Sequence, residues 1–336
     1  MTGAYRVYLA VLILAMASGT PVGPAVAQDR LAAAPAFPQK GKQIRLIVPF
    51  PAGGQADFQA RLIAPKLATA LAIPVTIENK PGGSSIIGVH DVARARPDGY
   101  TLLYTIASPM VVNPHMFAKL PYDALRDFTP ITLTALTAQA LVAHRSIPAE
   151  DIKELIAYAK TNPGKINFGS YGNGTSSHIY GQILKINAGI DMVHVPYKGA
   201  ADATRDLVAG RVGLAFMALT AAQPHVRAGR LKVLGVVGER RLPGLPDVPT
   251  VAEQGVAGLD LAGWLGIFAP ANTPAAVVEK LNSEIGKVLR APDVIERFRQ
   301  GGSEARGSSP REFLALVQSD HARWGEVIQR LGLKQD

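Results

Sequence analysis

The chain has 336 residues, with 35 Lys and Arg against 26 Asp and Glu and a formal net charge of +9. It contains no cysteine, which excludes a disulfide framework, a cysteine nucleophile and a lipid-modified N-terminal cysteine. Its basic residues are scattered and aromatic residues make up only 6%, so the sequence lacks the basic stripe with interleaved aromatics that is typical of nucleic-acid binding.

Residues 1–27 have the pattern of an export signal. Arg6 precedes an apolar run over 7–17, and small residues at 25–27 form a cleavage site. The run is shorter than the roughly 20 apolar residues of a membrane span. We therefore expect cleavage after Ala27 and a periplasmic protein, with an uncleaved N-terminal anchor as the alternative. The remaining chain of about 309 residues is long enough for two lobes of about 150 residues each.

Short apolar runs, many of them β-branched, alternate with helical patterns along the rest of the chain. The predicted strands are 44–50, 74–79, 100–106, 140–144, 165–170, 192–197, 212–218 and 231–237. A helix is predicted over 151–162, where Ile152, Leu155, Ile156 and Ala159 share one face. Strands separated by helices indicate βαβ units, an α/β class and a parallel sheet.

The first predicted strand runs directly into a Pro-Ala-Gly-Gly loop at 51–54. In parallel sheets, ligands bind beyond the carboxyl ends of the strands, where strand-to-helix loops converge. Gly53 and Gly54 allow the backbone to approach a ligand, and the helix that opens at 55–57 begins with N–H groups that lack intrahelical partners. Such a helix start favours an anion. The alternative is a tight turn in which Asp57 only caps the helix.

Two further glycine-rich helix starts follow the same pattern. The stretch 79–93, NKPGGSSIIGVHDVA, offers the hydroxyls of Ser84 and Ser85, and the stretch 166–184 has three hydroxyl residues at 175–177. A partial dinucleotide fingerprint at 172–177 lacks its third glycine, so it is weak evidence for a nucleotide. Three such loops in one chain favour the binding of an anionic small molecule.

Eight stretches, in this order, resemble the Bug family, the periplasmic solute receptors of tripartite tricarboxylate transporters. They are VPFPAGGQADFQARLIAPKL, ENKPGGSSIIG, RPDGYTLL, LPYDALRDFTPITL, GNGTSSH, VHVPYKGAADATRDLVAGRV, PDVPTVAEQG and FAPANTP. The resemblance covers essentially the whole chain after the export signal. It implies a type II periplasmic binding-protein fold, in which two α/β lobes joined by a hinge of two crossing strands trap a small carboxylate.

The resemblance also implies limits for the lobes and a set of partners. Lobe 1 would comprise 42–135 plus 264–336 and lobe 2 would comprise 136–263, with the crossings near 130–136 and 262–270. The receptor would be a monomer without cofactor or metal. It would deliver its ligand to the permease subunits of a tripartite tricarboxylate transporter or signal to a sensor kinase.

Carried over residue by residue, the resemblance implies a pocket shared between the lobes. Its lobe 1 members are Phe50, Pro51, Ala52, Gly53, Gly54, Asp57, Ser84 and Ser108. Its lobe 2 members are Tyr171, Gly174, Thr175, Ser176, Tyr197 and Met217. Met217 stands where many family members carry an acid, and its thioether favours a ligand with an aromatic or otherwise apolar body over an amino acid or citrate. The alternatives place Met217 and Tyr197 in the core and make Ser84 and Ser108 helix caps.

A secreted α/β hydrolase or a nucleotide-binding enzyme is the competing hypothesis. The sequence has no G-x-S-x-G, H-E-x-x-H or phosphate-loop signature, and its seven histidines lack the spacing of a metal site. His178 is the exception among them, because it lies in the predicted helix start at 172–178. We therefore expect a receptor rather than an enzyme.

Overall fold

The structure, a computed structural model, describes residues 37–333 except for residues 138, 239, 243, 244, 261 and 262. The predicted export signal, 1–27, lies outside the described residues. The described strands form two sheets, one of six strands and one of five. We call each sheet with its helices a lobe, and both lobes belong to one compact unit.

The chain visits the first lobe, then the second, and then returns to the first. The first visit forms β1 (Ile44–Val48), α1 (Gln55–Leu71), β2 (Val75–Asn79), α2 (Ile86–Ala93), β3 (Thr101–Ile106), α3 (Ser108–Val111), α4 (Asn113–Met116) and β4 (Phe128–Thr137). The second lobe contains β5 (Gln139–His144), α5 (Ile152–Thr161), β6 (Ile166–Ser170), α6 (Ser176–Asn187), β7 (Met192–Pro196), α7 (Ala200–Val208), β8 (Leu214–Ala218), α8 (Leu219–Arg227) and β9 (Leu231–Val237). The return forms β10 (Gly263–Pro270), α9 (Ala275–Leu289), α10 (Pro292–Gln300), β11 (Ser303–Ala305) and α11 (Pro310–Leu331).

The expected α/β class is confirmed, but the sheets are mixed rather than parallel. The strand orders are β11-β4-β10-β3-β1-β2 in the first lobe and β7-β6-β8-β5-β9 in the second. β1 pairs in parallel with β2 and β3, and β6 pairs in parallel with β7 and β8. β10 and β5 run antiparallel to their neighbours, and the edge strand β11 runs antiparallel to β4. The expectation of parallel pairing is therefore wrong for these three strands. β10 and β5 differ in direction because each enters its sheet from the other lobe.

The strands that connect the lobes lie side by side in the first sheet. β4 and β10 pair from Thr137 opposite Gly263 to Phe128 opposite Pro270. The chain therefore leaves the first sheet after Thr137, opens β5 at Gln139, and returns at Gly263. These strands overlap the stretches where the resemblance implies crossings, while the lobe limits themselves stay a prediction.

Alternating residues of β10 face two separate apolar layers. Leu265 packs with Ile63 of α1 and Leu281 of α9 in a cluster of fully buried side chains. On the opposite face, a Cβ atom at Gly266 would lie 2.1 Å from the ring of Phe313 in α11, so only glycine permits this close packing. The first sheet is thus covered on both faces.

Helix α11 contacts both lobes. It begins with a capping box in which Ser309 and Glu312 pair reciprocally, which satisfies N–H groups at the helix start. Near its start, Phe313 packs edge-on against Trp264 of β10, with ring centroids 5.2 Å apart. Further along, Trp324 lies 5.8 Å from Tyr180 of α6. The helix therefore packs across the junction of the lobes.

Candidate functional site

The strand ends of both lobes adjoin at the point where the chain crosses between the sheets. Gly263, at the start of β10, pairs with Thr137 at the end of β4, and β3 ends beside the same part of β10. Two residues after β4, Gln139 opens β5 opposite Ala218, the last residue of β8. The loops that follow β1 and β3 therefore lie on the side of Thr137, and those that follow β6 and β8 lie on the side of Gln139.

The first predicted loop lies open at this edge. Residues 51–54 are exposed and Phe50 is half-buried. Gly53 has a φ of +83°, a left-handed conformation that glycine adopts easily. Gly54 is the N-cap of α1 and provides no capping side chain, so the first N–H groups of α1, from Gln55 onward, are left for another partner.

Asp57 holds this loop from behind rather than acting as the N-cap. The residue is only 2% exposed, and its carboxylate accepts hydrogen bonds from Gly53 N–H (2.9 Å), Arg61 Nε (2.9 Å) and Asn79 Nδ2 (3.0 Å). Asn79 also donates to the Phe50 carbonyl at 3.1 Å. Burial alone would raise the pKa of Asp57, but the bond from Arg61 and the other hydrogen bonds lower it below its ordinary value. The carboxylate is therefore ionised and already paired.

The loop before α2 is wound through the left-handed region. Gly82, Gly83, Ser84 and Ser85 have φ values of +125°, +53°, +53° and +75°. This conformation costs a non-glycine residue roughly 1–2 kcal/mol. The carbonyl of Ser84 accepts a hydrogen bond from Asn113 Nδ2 at 2.9 Å, which helps to hold the turn. The side chain of Ser84 is exposed, as a ligand contact requires.

Ser108 lies on the same side of the first lobe. It opens the short helix α3 directly after β3 and is largely buried. The preceding N–H, that of Ala107, donates to the carbonyl of Trp264 in β10 at 3.0 Å. Ser108 is therefore placed next to the crossing strand.

In the second lobe, the two predicted hydroxyl donors have different surroundings. Gly174, with a φ of +76°, leads into Thr175, the N-cap of α6. The Thr175 hydroxyl donates to the carbonyl of Gly172 at 2.7 Å, so its proton is used within the loop. The oxygen of Ser176 accepts from Gln139 Nε2 at 3.3 Å, which leaves the Ser176 proton free for donation.

Two stacked histidines support the second-lobe loop. Nδ1 of His178 accepts the N–H of Gly174 at 3.2 Å, and its ring stacks on His194 with centroids 4.1 Å apart. Nε2 of His194 lies 2.6 Å from Ser170 Oγ. Burial lowers the pKa of His178, and burial together with the neighbouring His178 lowers the pKa of His194 to about 4. Both rings are therefore neutral at pH 7 and suited to accept hydrogen bonds.

Two further residues of the predicted pocket have their side chains engaged inside the protein. The Tyr197 hydroxyl donates to Asp206 Oδ2 at 3.1 Å, and its ring lies close to Gly169. Met217 is fully buried and packs with Ala140 and other apolar side chains of the second lobe. The alternative that Met217 is a core residue agrees with this burial. The expectation of an apolar-bodied ligand depended on a contact between Met217 and the ligand, and the burial of Met217 removes that support.

Gln139 is a polar residue at this edge that the sequence reasoning missed. Its Oε1 atom and the Tyr171 hydroxyl are buried and have no hydrogen-bond partner among the residues that the structure describes. The Tyr171 hydroxyl approaches the backbone of Ala218 without reaching hydrogen-bond geometry. The sequence feature that could have identified Gln139 is a glutamine at the start of a mainly apolar strand, QALVAH, directly after the chain crosses between the lobes.

Features of other kinds of site are absent from the described ranges. No group of three or more histidine, aspartate or glutamate side chains within 37–333, gaps excepted, could hold a metal ion. Nor does any helix in that part of the chain have the length and apolar character to cross a membrane. A surface cavity of about 670 Å³, lined by residues between 114 and 127 and by His321, contains none of the candidate residues.

Sequence comparisons link the chain to one family of receptors. The sequence model described as "Tripartite tricarboxylate transporter family receptor" matches residues 59–333. The UPF0065 protein in the tcbD-tcbE intergenic region of Pseudomonas sp. strain P51 is 40% identical over 294 residues, which cover 87% of either chain. BugT of Bordetella pertussis is 30% identical over 294 residues, which cover 87% of this chain and 90% of BugT.

Solved structures with the same fold include two with a bound acid. R. palustris Rpa4515 with adipate is 33% identical and superimposes with a TM-score of 0.81 over 88% of this chain and 99% of that one. MatC from Rhodopseudomonas palustris with bound malate is 31% identical, with a TM-score of 0.79 over 86% and 100%. The periplasmic binding protein BugD is 34% identical, with a TM-score of 0.80 over 88% and 100%. The expected two-lobed periplasmic binding-protein fold is confirmed.

Proposed function

Because the chain belongs to the tripartite tricarboxylate transporter receptor family, as its resemblance to the Bug proteins implied, we propose that it is a periplasmic receptor for one small carboxylate. One observation carries the proposal. Helices α1 and α6 both begin where the strand ends of the two lobes adjoin, and neither start is capped by a side chain. Two such helix starts favour an anion held between the lobes.

The polar contacts that we assign to the ligand are the backbone N–H groups of Ala52 and Gly54 and the hydroxyls of Ser84, Ser108, Tyr171 and Ser176. Phe50 and Pro51 contribute apolar contacts, and Pro51 has no N–H to donate. Gly53 and Gly174 shape the loops, because their N–H groups already pair with Asp57 and His178. Asp57, Thr175 and Tyr197 support these loops from behind, because their polar atoms already pair within the protein. This division follows the hydrogen bonds described above.

These contacts are sufficient in number for a useful affinity. A hydrogen bond to a charged group contributes roughly 1.5–3 kcal/mol. Four or five such bonds, less the cost of association, are compatible with the roughly 8 kcal/mol of a micromolar dissociation constant. Closure of the lobes around the acid would strengthen each bond by excluding water.

The charged side chains around the site favour an acid without an ammonium group. An amino acid would need a free carboxylate opposite its ammonium, and Asp57 is already paired with three donors. The half-buried Phe50 and the exposed Pro51 and Ala52 offer apolar surface to an aliphatic or aromatic carbon skeleton. We therefore propose a mono- or dicarboxylate, the class to which the adipate of Rpa4515 and the malate of MatC belong.

Export and delivery complete the proposal. Residues 1–27 are removed after Ala27, and the mature chain folds into lobes of 42–135 plus 264–336 and of 136–263. The loaded monomer passes its ligand to the permease of a tripartite tricarboxylate transporter or signals to a sensor kinase. The family description and the short apolar run near the start of the sequence support these steps.

Calorimetric titration with adipate, malate, succinate, benzoate and glutamate tests the function. We expect one molecule of at least one acid without an ammonium group to bind per chain with a micromolar dissociation constant, and glutamate to bind more weakly. The bound acid should be recovered unchanged after prolonged incubation. Binding of none of the acids, or their conversion to a product, would contradict the proposal.

A further inference from the structure

Two buried polar atoms without a hydrogen-bond partner in the described part of the chain lie at the same point of the second lobe. They are Gln139 Oε1 and the Tyr171 hydroxyl. Gln139 pairs with Ala218 across β5 and β8, and the Tyr171 hydroxyl approaches the backbone of Ala218. Buried polar atoms left unpaired are costly, and in native proteins water or a ligand usually pairs with them. A water molecule or a ligand at the end of β8 would therefore pair with them.

The other end of the Gln139 amide is fixed in place. Its Nε2 atom donates to the oxygen of Ser176, the first residue of α6. The same nitrogen lies 3.8 Å from the position that a Cβ atom at Gly263 would occupy, at the start of β10. Gln139 therefore lies between the α6 helix start and the crossing strand. Because an amide oxygen has no proton, Oε1 can only accept a hydrogen bond.

We propose that Gln139 determines which acid is bound, because its Oε1 accepts a hydrogen bond from a hydroxyl group of the ligand while Ser176 and the start of α6 hold the carboxylate. The proposal rests on the proposed function and narrows the ligand to a hydroxycarboxylate. A neutral hydroxyl suits this position better than an ammonium, since the amide oxygen carries no charge to balance it and Asp57 is already paired. The Tyr171 hydroxyl supplies a second polar contact beside the same strand end.

Pairs of acids that differ by one hydroxyl test this assignment by calorimetry. The pairs are malate and succinate, lactate and propionate, and mandelate and phenylacetate. A site built to pair with a hydroxyl discriminates strongly against an analogue that lacks it, so in at least one pair the hydroxy acid should bind to the wild type about tenfold more tightly or better. In Gln139→Met, which keeps the length of the side chain without its polar atoms, this ratio should fall to about one. The ligand-free variant should melt at the same temperature or higher, because an unpaired buried acceptor has been removed.

Gln254→Met is the matched control. Gln254 is also buried in the second lobe, but both ends of its amide are paired. Its Oε1 accepts from Ile152 N–H at 2.8 Å, and its Nε2 donates to the carbonyl of Leu234 at 2.9 Å. The same chemical change here should lower the melting temperature and leave the preference for the hydroxy acid unchanged.

The alternatives give different results. If the acid without the hydroxyl binds as tightly as its partner in every pair that the wild type binds, the hydroxyl contact is wrong. If Gln139→Met keeps the full preference, Gln139 is not the residue responsible. Should that variant fail to fold, Gln139→Glu replaces the amide with a charge that repels carboxylates, and undiminished affinity would overturn the assignment. Binding of no acid to the wild type would instead contradict the proposed function itself.

Discussion

Replacement of Asp57 by alanine should loosen the first loop and weaken ligand binding together. The buried carboxylate accepts three hydrogen bonds, but the Arg61 side chain is 56% exposed and can pair with water after the change. The bonds from Gly53 and Asn79 therefore account for most of the loss. At about 1.5–3 kcal/mol for each bond to a charged group, the free energy of unfolding should fall by about 3–6 kcal/mol. At roughly 2 °C per kcal/mol for a chain of this size, the melting temperature should fall by about 6–12 °C.

Ligand affinity should fall by about tenfold or more in Asp57→Ala. The freed loop must be ordered again on binding, and ordering one residue costs about 1–2 kcal/mol.

The stabilising effect of Asp57 should also depend on pH. Because the pKa of Asp57 is lowered in the folded protein, this effect is fully present above the ordinary pKa near about 3.9 and is lost as the pH falls through the lower, folded value. The difference in melting temperature between wild type and variant should therefore stay constant from about pH 5 to about pH 8.

Thermal melting and calorimetric titration with the acid that the wild type binds most tightly measure both effects. Asp293→Ala is the control, since Asp293 also lies in the first turn of a helix but is 65% exposed in its ion pair with Lys66. Water screens such a pair, so this change should leave the melting temperature and the affinity nearly unaltered. A fall of less than 2 °C in Asp57→Ala, or unchanged affinity despite a large fall, would refute the reasoning about the loop.

Three further substitutions or conditions separate ligand contacts from structural support. Ser176→Ala should weaken carboxylate binding about tenfold with little change in melting temperature. Thr175→Ala should lower the melting temperature, because the Thr175 hydroxyl donates within its own loop. Equal effects of the two substitutions on affinity and on melting temperature would contradict this distinction. The pKa values of His178 and His194 are lowered in the folded protein, so the free energy of unfolding should be highest above about pH 6.5 and should fall as the pH approaches about 4. His194→Phe should reduce this pH dependence, and an unchanged pH profile in that variant would contradict the role of the histidines. Met217→Ala should lower the free energy of unfolding by about 2–4 kcal/mol without changing the rank order of carboxylates, and a changed order would show that Met217 contacts the ligand.

The positions of most strands could be predicted from short apolar runs, but their directions could not. The predicted strand 231–237 coincides with β9, and 44–50 contains β1. The run at 140–144 lies in β5, yet this strand is antiparallel to its neighbours. Direction depends on the route of the chain between the lobes, which leaves no local pattern. The strand β11 (Ser303–Ala305) was not predicted, because three residues without an apolar run give no periodic signal.

The loops of the candidate site carried a local signal, whereas the directions of individual side chains did not. Glycine-rich helix starts are visible in the sequence, and two of them lie where the lobes adjoin. Successive residues of a strand face opposite sides of the sheet, so an error of one residue in the predicted strand changes whether Met217 faces the cleft or the core. Gln139 was missed for a related reason, since its partner Ser176 lies 37 positions further along the chain.

Hydrogen exchange measured with and without the acid that binds most tightly in the calorimetric series tests most directly whether the ligand lies between the lobes. Residues 50–58 and 172–178 belong to different lobes and include the starts of α1 and α6. If one carboxylate contacts both, amide exchange in both segments should slow at saturation while the exposed surface of α10 exchanges as before. Protection of only one segment, or of neither, would contradict a ligand held between the two lobes.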